Sequence, residues 1–87
     1  MTTKAPSAVA PAGEQTLEKV AYESVSGLPV ADPHDRDRLG YNVWRFLTMR
    51  RDSLEFAVKT SGARLGISEH EAVAKIRESL ISRGVKL

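Results

Sequence analysis

The sequence predicts a small all-α fold: a three-helix bundle with a helix-turn-helix-like hairpin, preceded by a loosely packed N-terminal helix and a disordered tail. Three observations carry that expectation. Apolar residues recur three and four apart in successive segments after residue 32, the period of helices with one buried face. Two of those segments open on the spacing of a capping box, Asp52-Ser-Leu-Glu55 and Ser68-Glu-His-Glu71, in which an acceptor side chain is followed three residues later by a carboxylate. The 87 residues are 41% apolar and 28% charged, a globular composition with room for one small domain.

Residues 1–13 are mostly Thr, Ala, Ser and Pro with a single Lys and lack any period that would bury a face, so they read as the disordered tail. Their Ser7-Ala-Val-Ala-Pro-Ala run is too weak for a secretory leader. Residues 14–31 read as a short helix and linker. Leu17, Val20, Ala21 and Val25 share one face, and Gly27 and Pro29 stop the helix.

The three-helix domain is expected over 32–87. Asp32-Pro33-His34-Asp35 opens its long first helix: Asp32 can accept free amide protons, Pro33 suits the first helical position, and Asp35 faces the positive helix end. Leu39, Val43, Phe46 and Leu47 form its apolar stripe, with Tyr41 and Trp44 on the flank. Gly40 is its weak point, because an interior glycine costs about 1 kcal/mol relative to alanine. The next helix begins at Ser53 with Leu54, Ala57, Val58 and Ser61 inward, and the last follows Ser68 with Ala72, Val73, Ile76, Leu80 and Ile81 inward. The predicted core is Leu39, Val43, Phe46, Leu47, Leu54, Val58, Leu65, Ile67, Val73, Ile76 and Leu80.

Charge is unevenly distributed beneath a net +2. Lys4 and Lys19 against Glu14, Glu18, Glu23, Asp32 and Asp35 leave the first 35 residues acidic, while Arg36, Arg38, Arg45, Arg50 and Arg51 face a single Asp37 in the next 16. Such a basic cluster attracts polyanions or an acidic protein surface. Arg38, Asn42, Arg45 and Met49 recur at helical spacing, so they share a face, and arginine with asparagine can grip phosphates or read base edges. With no Asp or Glu on that face, intrahelical pairing is not expected to neutralise it.

Ser61-Gly-Ala-Arg-Leu-Gly-Ile-Ser68 resembles the middle of a helix-turn-helix, in which a small residue packs between the helices and a glycine turn launches a capped recognition helix. The resemblance spans Val58 to Ile76 and implies a hairpin that enters a DNA groove. Two features depart from the motif: Val73 and Ile76 fall one residue late, and the second helix opens on Glu69, His70 and Glu71, which would meet phosphates with carboxylates. An ordinary helical hairpin is the competing reading.

No pattern of catalysis is present. The chain has no cysteine, which excludes disulfides, thiolate metal sites and thiol nucleophiles. His34 has no second histidine three or four residues away, His70 has glutamates pointing to different sides of a helix, and Ser53 and Ser68 are accounted for as caps. No enzyme activity, metal or cofactor is therefore expected. The apolar runs are far shorter than the roughly 18 to 20 residues that span a bilayer, so no membrane partner is expected and the location is read as cytoplasmic.

Two functional readings follow. In the first, the chain is a small nucleic-acid-binding or regulatory module. In the second it is a protein-interaction or structural accessory module whose basic, aromatic helix engages an acidic partner. The candidate binding residues are Arg38, Tyr41, Asn42, Trp44, Arg45, Arg50 and Arg51. Homodimerisation would supplement a core this small.

Overall fold

The computed structural model describes residues 16–49 and 53–87. Four helices occupy them: α1 (Leu17–Val25), α2 (Pro33–Met49), α3 (Leu54–Ser61) and α4 (Glu69–Ser82). The tail expected over 1–13, and Arg50, Arg51 and Asp52 between α2 and α3, lie outside the described residues.

Each helix starts where its first orphan amides find an acceptor. Thr16 Oγ1 accepts from the Lys19 amide at 3.1 Å, Ser53 Oγ from Phe56 at 3.0 Å, and Ser68 Oγ from Glu71 at 3.0 Å. Asp32 Oδ1 accepts from the His34 amide at 2.9 Å, so α2 opens at Pro33 as its sequence indicates. The cap of α3 is Ser53, which places the first helical residue one position later than the sequence spacing suggests. Gly62 ends α3 with φ +69°, the left-handed conformation that glycine adopts without a Cβ penalty.

The helices close into a ring: α1 packs on α2, α2 on α3, α3 on α4, and α4 back on α1. Their inward faces meet as one core of Val20, Ala21, Val25, Leu39, Val43, Leu47, Leu54, Val58, Ala72, Val73, Ile76 and Leu80. Eight of the eleven predicted core residues are buried there; Phe46, Leu65 and Ile67 pack half-buried on its edge. Leu17 and Ile81, read as inward from their spacing, are exposed.

The loose attachment expected of the first helix is corrected by this ring. Val20, Ala21, Ser24 and Val25 of α1 are all buried, and so are Leu28 and Val30 of the linker that follows. Arg36 holds the linker down by donating from Nη2 to the Val30 carbonyl at 2.7 Å and the Leu28 carbonyl at 3.3 Å. At the far end, Arg83 Nη1 pairs with Glu23 Oε1 at 3.0 Å and ties α4 to α1.

Gly40, a weakness by propensity, is the point of closest approach between α1 and α2. A Cβ on it would lie 2.4 Å from Cδ1 of the Tyr22 ring, well inside van der Waals contact. Gly66 serves the other loop in the same way: its N–H donates to the Pro29 carbonyl at 2.9 Å, and a Cβ would meet Pro29 at 3.2 Å.

Two expectations follow for stability. Gly40→Ala should destabilise by about 1 to 3 kcal/mol through overpacking, yet in a Tyr22→Ala background the same change should stabilise by about 1 kcal/mol through helix propensity. Urea melts of the four proteins read the sign reversal directly, and a gain in both backgrounds would remove the ring contact from the account. Likewise Ile76→Ala should cost about 2 to 5 kcal/mol as a core cavity, against about 1 kcal/mol for the Ser68→Ala cap; equal losses would place Ile76 outside the core.

Candidate functional site

The seven candidate residues all come from α2 or the segment just after it, and the structure divides the five it describes into two groups. Arg38 and Asn42 point at α3. Arg38 Nε donates to the Ser61 carbonyl at 3.0 Å, while Asn42 Nδ2 donates to the Ala57 carbonyl at 3.0 Å and to Thr60 Oγ1 at 3.2 Å. The Arg38 bond satisfies a carbonyl that the end of α3 leaves without an intrahelical partner, the Asn42 bond adds a second donor to a carbonyl in its middle, and together they tie this eight-residue helix to α2.

The neutralising carboxylate thought to be missing is Asp35. It lies one turn before Arg38 and accepts a short hydrogen bond from Arg38 Nη2 on its Oδ1. Its Oδ2 accepts from the Arg64 backbone amide at 3.1 Å and from Arg64 Nε at 2.9 Å. Arg64 Nη2 then reaches Asp32 Oδ2 at 2.8 Å. The Asp35 side chain is only 3% exposed, whereas that of Arg64 is 77% exposed, so a cation at the surface clasps a carboxylate beneath it. The shallow cleft lined by Ala31, Asp32, Asp35 and Arg64 is occupied by these mutual bonds.

The Asp35 carboxyl is held below the ordinary carboxylate range by the Arg64 side chain first and its backbone amide next, with burial opposing them and Arg38 adding to them. Arg64 is pushed up in turn by Asp35 and then Asp32. Because the folded pKa lies below the unfolded one, the clasp contributes fully above pH of about 4 and is lost as pH falls through the lower folded value.

Tyr41, Trp44 and Arg45 form the second group, on the outward side of α2. The Tyr41 and Trp44 rings meet edge to face, centroids 5.6 Å apart at 61°. The Arg45 guanidinium lies 5.7 Å from the Tyr41 ring centroid, and its Nη1 donates to Tyr41 Oη at 3.0 Å. Tyr41 is 42% exposed, Arg45 is exposed and Trp44 half-buried. The edge-to-face pair contributes about 0.5 to 1.5 kcal/mol and an exposed cation–π contact about 0.5 to 1 kcal/mol, which biases the three side chains toward this arrangement against a rotamer entropy of similar size. Arg50 and Arg51 fall outside the described residues.

No protein family, curated protein or solved structure matches this chain.

In the Val58–Ile76 hairpin, α3 and α4 are joined by the seven residues 62–68, where a helix-turn-helix uses three or four. Gly62 is a left-handed cap, and the Leu65-Gly66-Ile67 turn docks on Pro29 of the linker. Glu69, His70 and Glu71 are exposed at the start of α4. Among the described residues no three His, Asp or Glu side chains gather to hold a metal ion, and no helix is long and apolar enough to cross a membrane.

Sequence reasoning missed Arg64, whose partners lie about thirty residues away, and overlooked Asp35 as the i,i+3 partner of Arg38, a pairing visible in the spacing. Asp35→Asn should lower stability at neutral pH and flatten its fall between about pH 5 and pH 3 relative to the unmodified protein. Urea midpoints across that range test this; parallel curves would mean the clasp does not couple to folding.

Proposed function

We propose that this protein is a small non-enzymatic interaction module that binds an acidic protein surface through the Tyr41, Trp44 and Arg45 face of α2. The observation that carries the reading is the partition of α2. Arg38 and Arg45 are both exposed. The Arg38 side chain, 53% exposed, is nonetheless engaged by Asp35 and the Ser61 carbonyl, and Asn42 by α3, whereas the outward face offers two aromatic rings and an arginine with no carboxylate partner among the described residues. Trp, Tyr and Arg are the side chains enriched where protein interfaces draw most of their binding energy. Rings that already favour one mutual arrangement lose less freedom on binding, which favours affinity.

The runner-up is a nucleic-acid-binding or regulatory module, favoured by the concentration of arginine between residues 36 and 51. For it, Arg38 would have to give up its bonds to Asp35 and the Ser61 carbonyl, and Asn42 its two α3 acceptors. Asp35 would keep Arg64, but the ties that hold α3 against α2 would be lost, each worth about 0.5 to 1.5 kcal/mol or more where charge assists.

Trp44 is the sole tryptophan, so its emission reports the site directly. Titration with an acidic peptide of Glu, Ala and Leu should shift that emission to the blue, and Arg45→Glu should weaken binding by about tenfold or more. Random duplex DNA at about 50 mM salt should bind weakly, without a salt slope that Arg38→Ala alters. Tight duplex binding whose slope becomes shallower by about one contact in both Arg38→Ala and Arg45→Ala, with no response to the peptide, would establish the nucleic-acid reading instead.

A further inference from the structure

The face around Tyr41 continues across the seam between α2 and α3. Asn42 bridges that seam to Thr60, and Thr60 Oγ1 donates to the Phe56 carbonyl one turn earlier at 2.7 Å. Phe56, one turn before Thr60, shares its side of α3 by the helical period and so lies on the seam side, towards the N-terminal end of that helix. Three of the six exposed large apolar side chains among the described residues sit here: Tyr41 at 42%, Met49 at 40% and Phe56 at 51%. A gathering of this kind on a small domain marks a surface meant to be covered.

Its charge narrows what covers it. Residues 38–49 of α2 and 56–61 of α3 contain Arg38, Arg45 and Lys59 but no Asp or Glu; Arg38 is neutralised by Asp35 beneath it, and Glu55, one turn before Lys59, is drawn to the other side of α3, 3.6 Å from Arg77 of α4. In a two-fold dimer the same patch meets itself, which would bring together two surfaces whose unpaired charges, Arg45 and Lys59, are all positive. The exposed large apolar residues of α1 and α4, Leu17 and Ile81, are single positions on helices whose remaining apolar faces are buried in the ring, so a second copy offers no apolar row to lie on this seam.

We infer that the occupant is an acidic amphipathic helix of a different protein, lying along the α2–α3 seam with its apolar anchors on Tyr41, Met49 and Phe56 and its carboxylates beside Arg45 and Lys59. This inference rests on the proposed interaction role and adds the partner's form. A helix laid in a groove presents anchors at i, i+3, i+4 and i+7, a spacing that fits a row of apolar contacts flanked by unopposed cations.

The test uses two peptides of about eighteen residues, long enough for helix formation, with identical Glu, Ala and Leu composition. One carries Leu at i, i+3, i+4 and i+7; the other has the same Leu residues distributed around the helix. The patterned peptide should bind at least about tenfold more tightly. Phe56→Ala and Met49→Ala should each weaken it about tenfold, while Ile81→Ala, an equally exposed apolar residue on α4, should leave it unchanged. All three positions are exposed, and circular dichroism confirms that each variant folds. Equal affinity for the two peptides, or Phe56→Ala behaving like Ile81→Ala, would overturn the helix inference and leave the α2 interaction reading intact. Binding of neither peptide would overturn both. A dimer seen by sedimentation and dissolved by Phe56→Ala would make a second copy the occupant, and duplex DNA bound in place of the peptides would make it nucleic acid.

Discussion

The buried carboxylate of Asp35 is the constraint from which the rest of the molecule follows. A carboxylate this far from water needs donors, and it finds three: Arg38 Nη2 from its own helix, and the backbone amide and Nε of Arg64 from the loop before α4. These bonds join the first turn of α2 to the α3–α4 connection and set the rotation of α2 about its axis. Successive residues turn by about 100°, so fixing Asp35 and Arg38 fixes every later position. Leu39, Val43 and Leu47 enter the core, Asn42 faces α3, Gly40 receives Tyr22, and Tyr41 and Arg45 face outward. Rotation by one residue position would drive Arg38 into the buried place of Leu39 and Leu39 into that of Gly40, where even a Cβ would meet the Tyr22 ring at 2.4 Å.

The acidic N-terminal part could have masked the basic helix, but the described residues place its charge elsewhere. Glu23 pairs with Arg83 of α4, and Asp32 with Arg64. Tyr22 is pushed up in pKa by burial and by the nearby carboxylates of Glu18 and Asp37, which locates negative charge on the α1 flank of α2. The aromatic patch therefore separates an acidic flank from the α3 flank, where Lys59 stands one turn after Glu55, whose carboxylate lies 3.6 Å from Arg77 of α4. A partner that follows this gradient would align in one direction, since like charges brought together oppose the reversed pose.

Much of the fold is legible from residue spacing alone. All four inward positions assigned to α3, and Ala72, Val73, Ile76 and Leu80 of α4, are buried, because period and capping are local properties. The linker is not legible in this way: Ser26-Gly-Leu-Pro-Val carries turn residues, and only the tertiary docking of α1 and the grip of Arg36 bury Leu28 and Val30. Gly40 shows the same limit, since a helix propensity has no knowledge of Tyr22 on another helix. For the candidate site, spacing places Arg38, Asn42, Arg45 and Met49 on one face, yet α3 covers the Arg38 and Asn42 edge of it. Phe56 reads only as lateral in α3 until Thr60 is seen to meet Asn42.

The central claim is that Arg38 belongs to the fold and Arg45 to the surface. Exchange of the arginine Nε–H protons with water, followed by side-chain nitrogen NMR on the free protein, separates the two most directly. The Arg38 Nε–H, held on the Ser61 carbonyl, should exchange far more slowly than that of exposed Arg45. Equal and rapid exchange at both would mean that Arg38 is free to bind a ligand, contradicting the partition of α2 on which the functional reading stands.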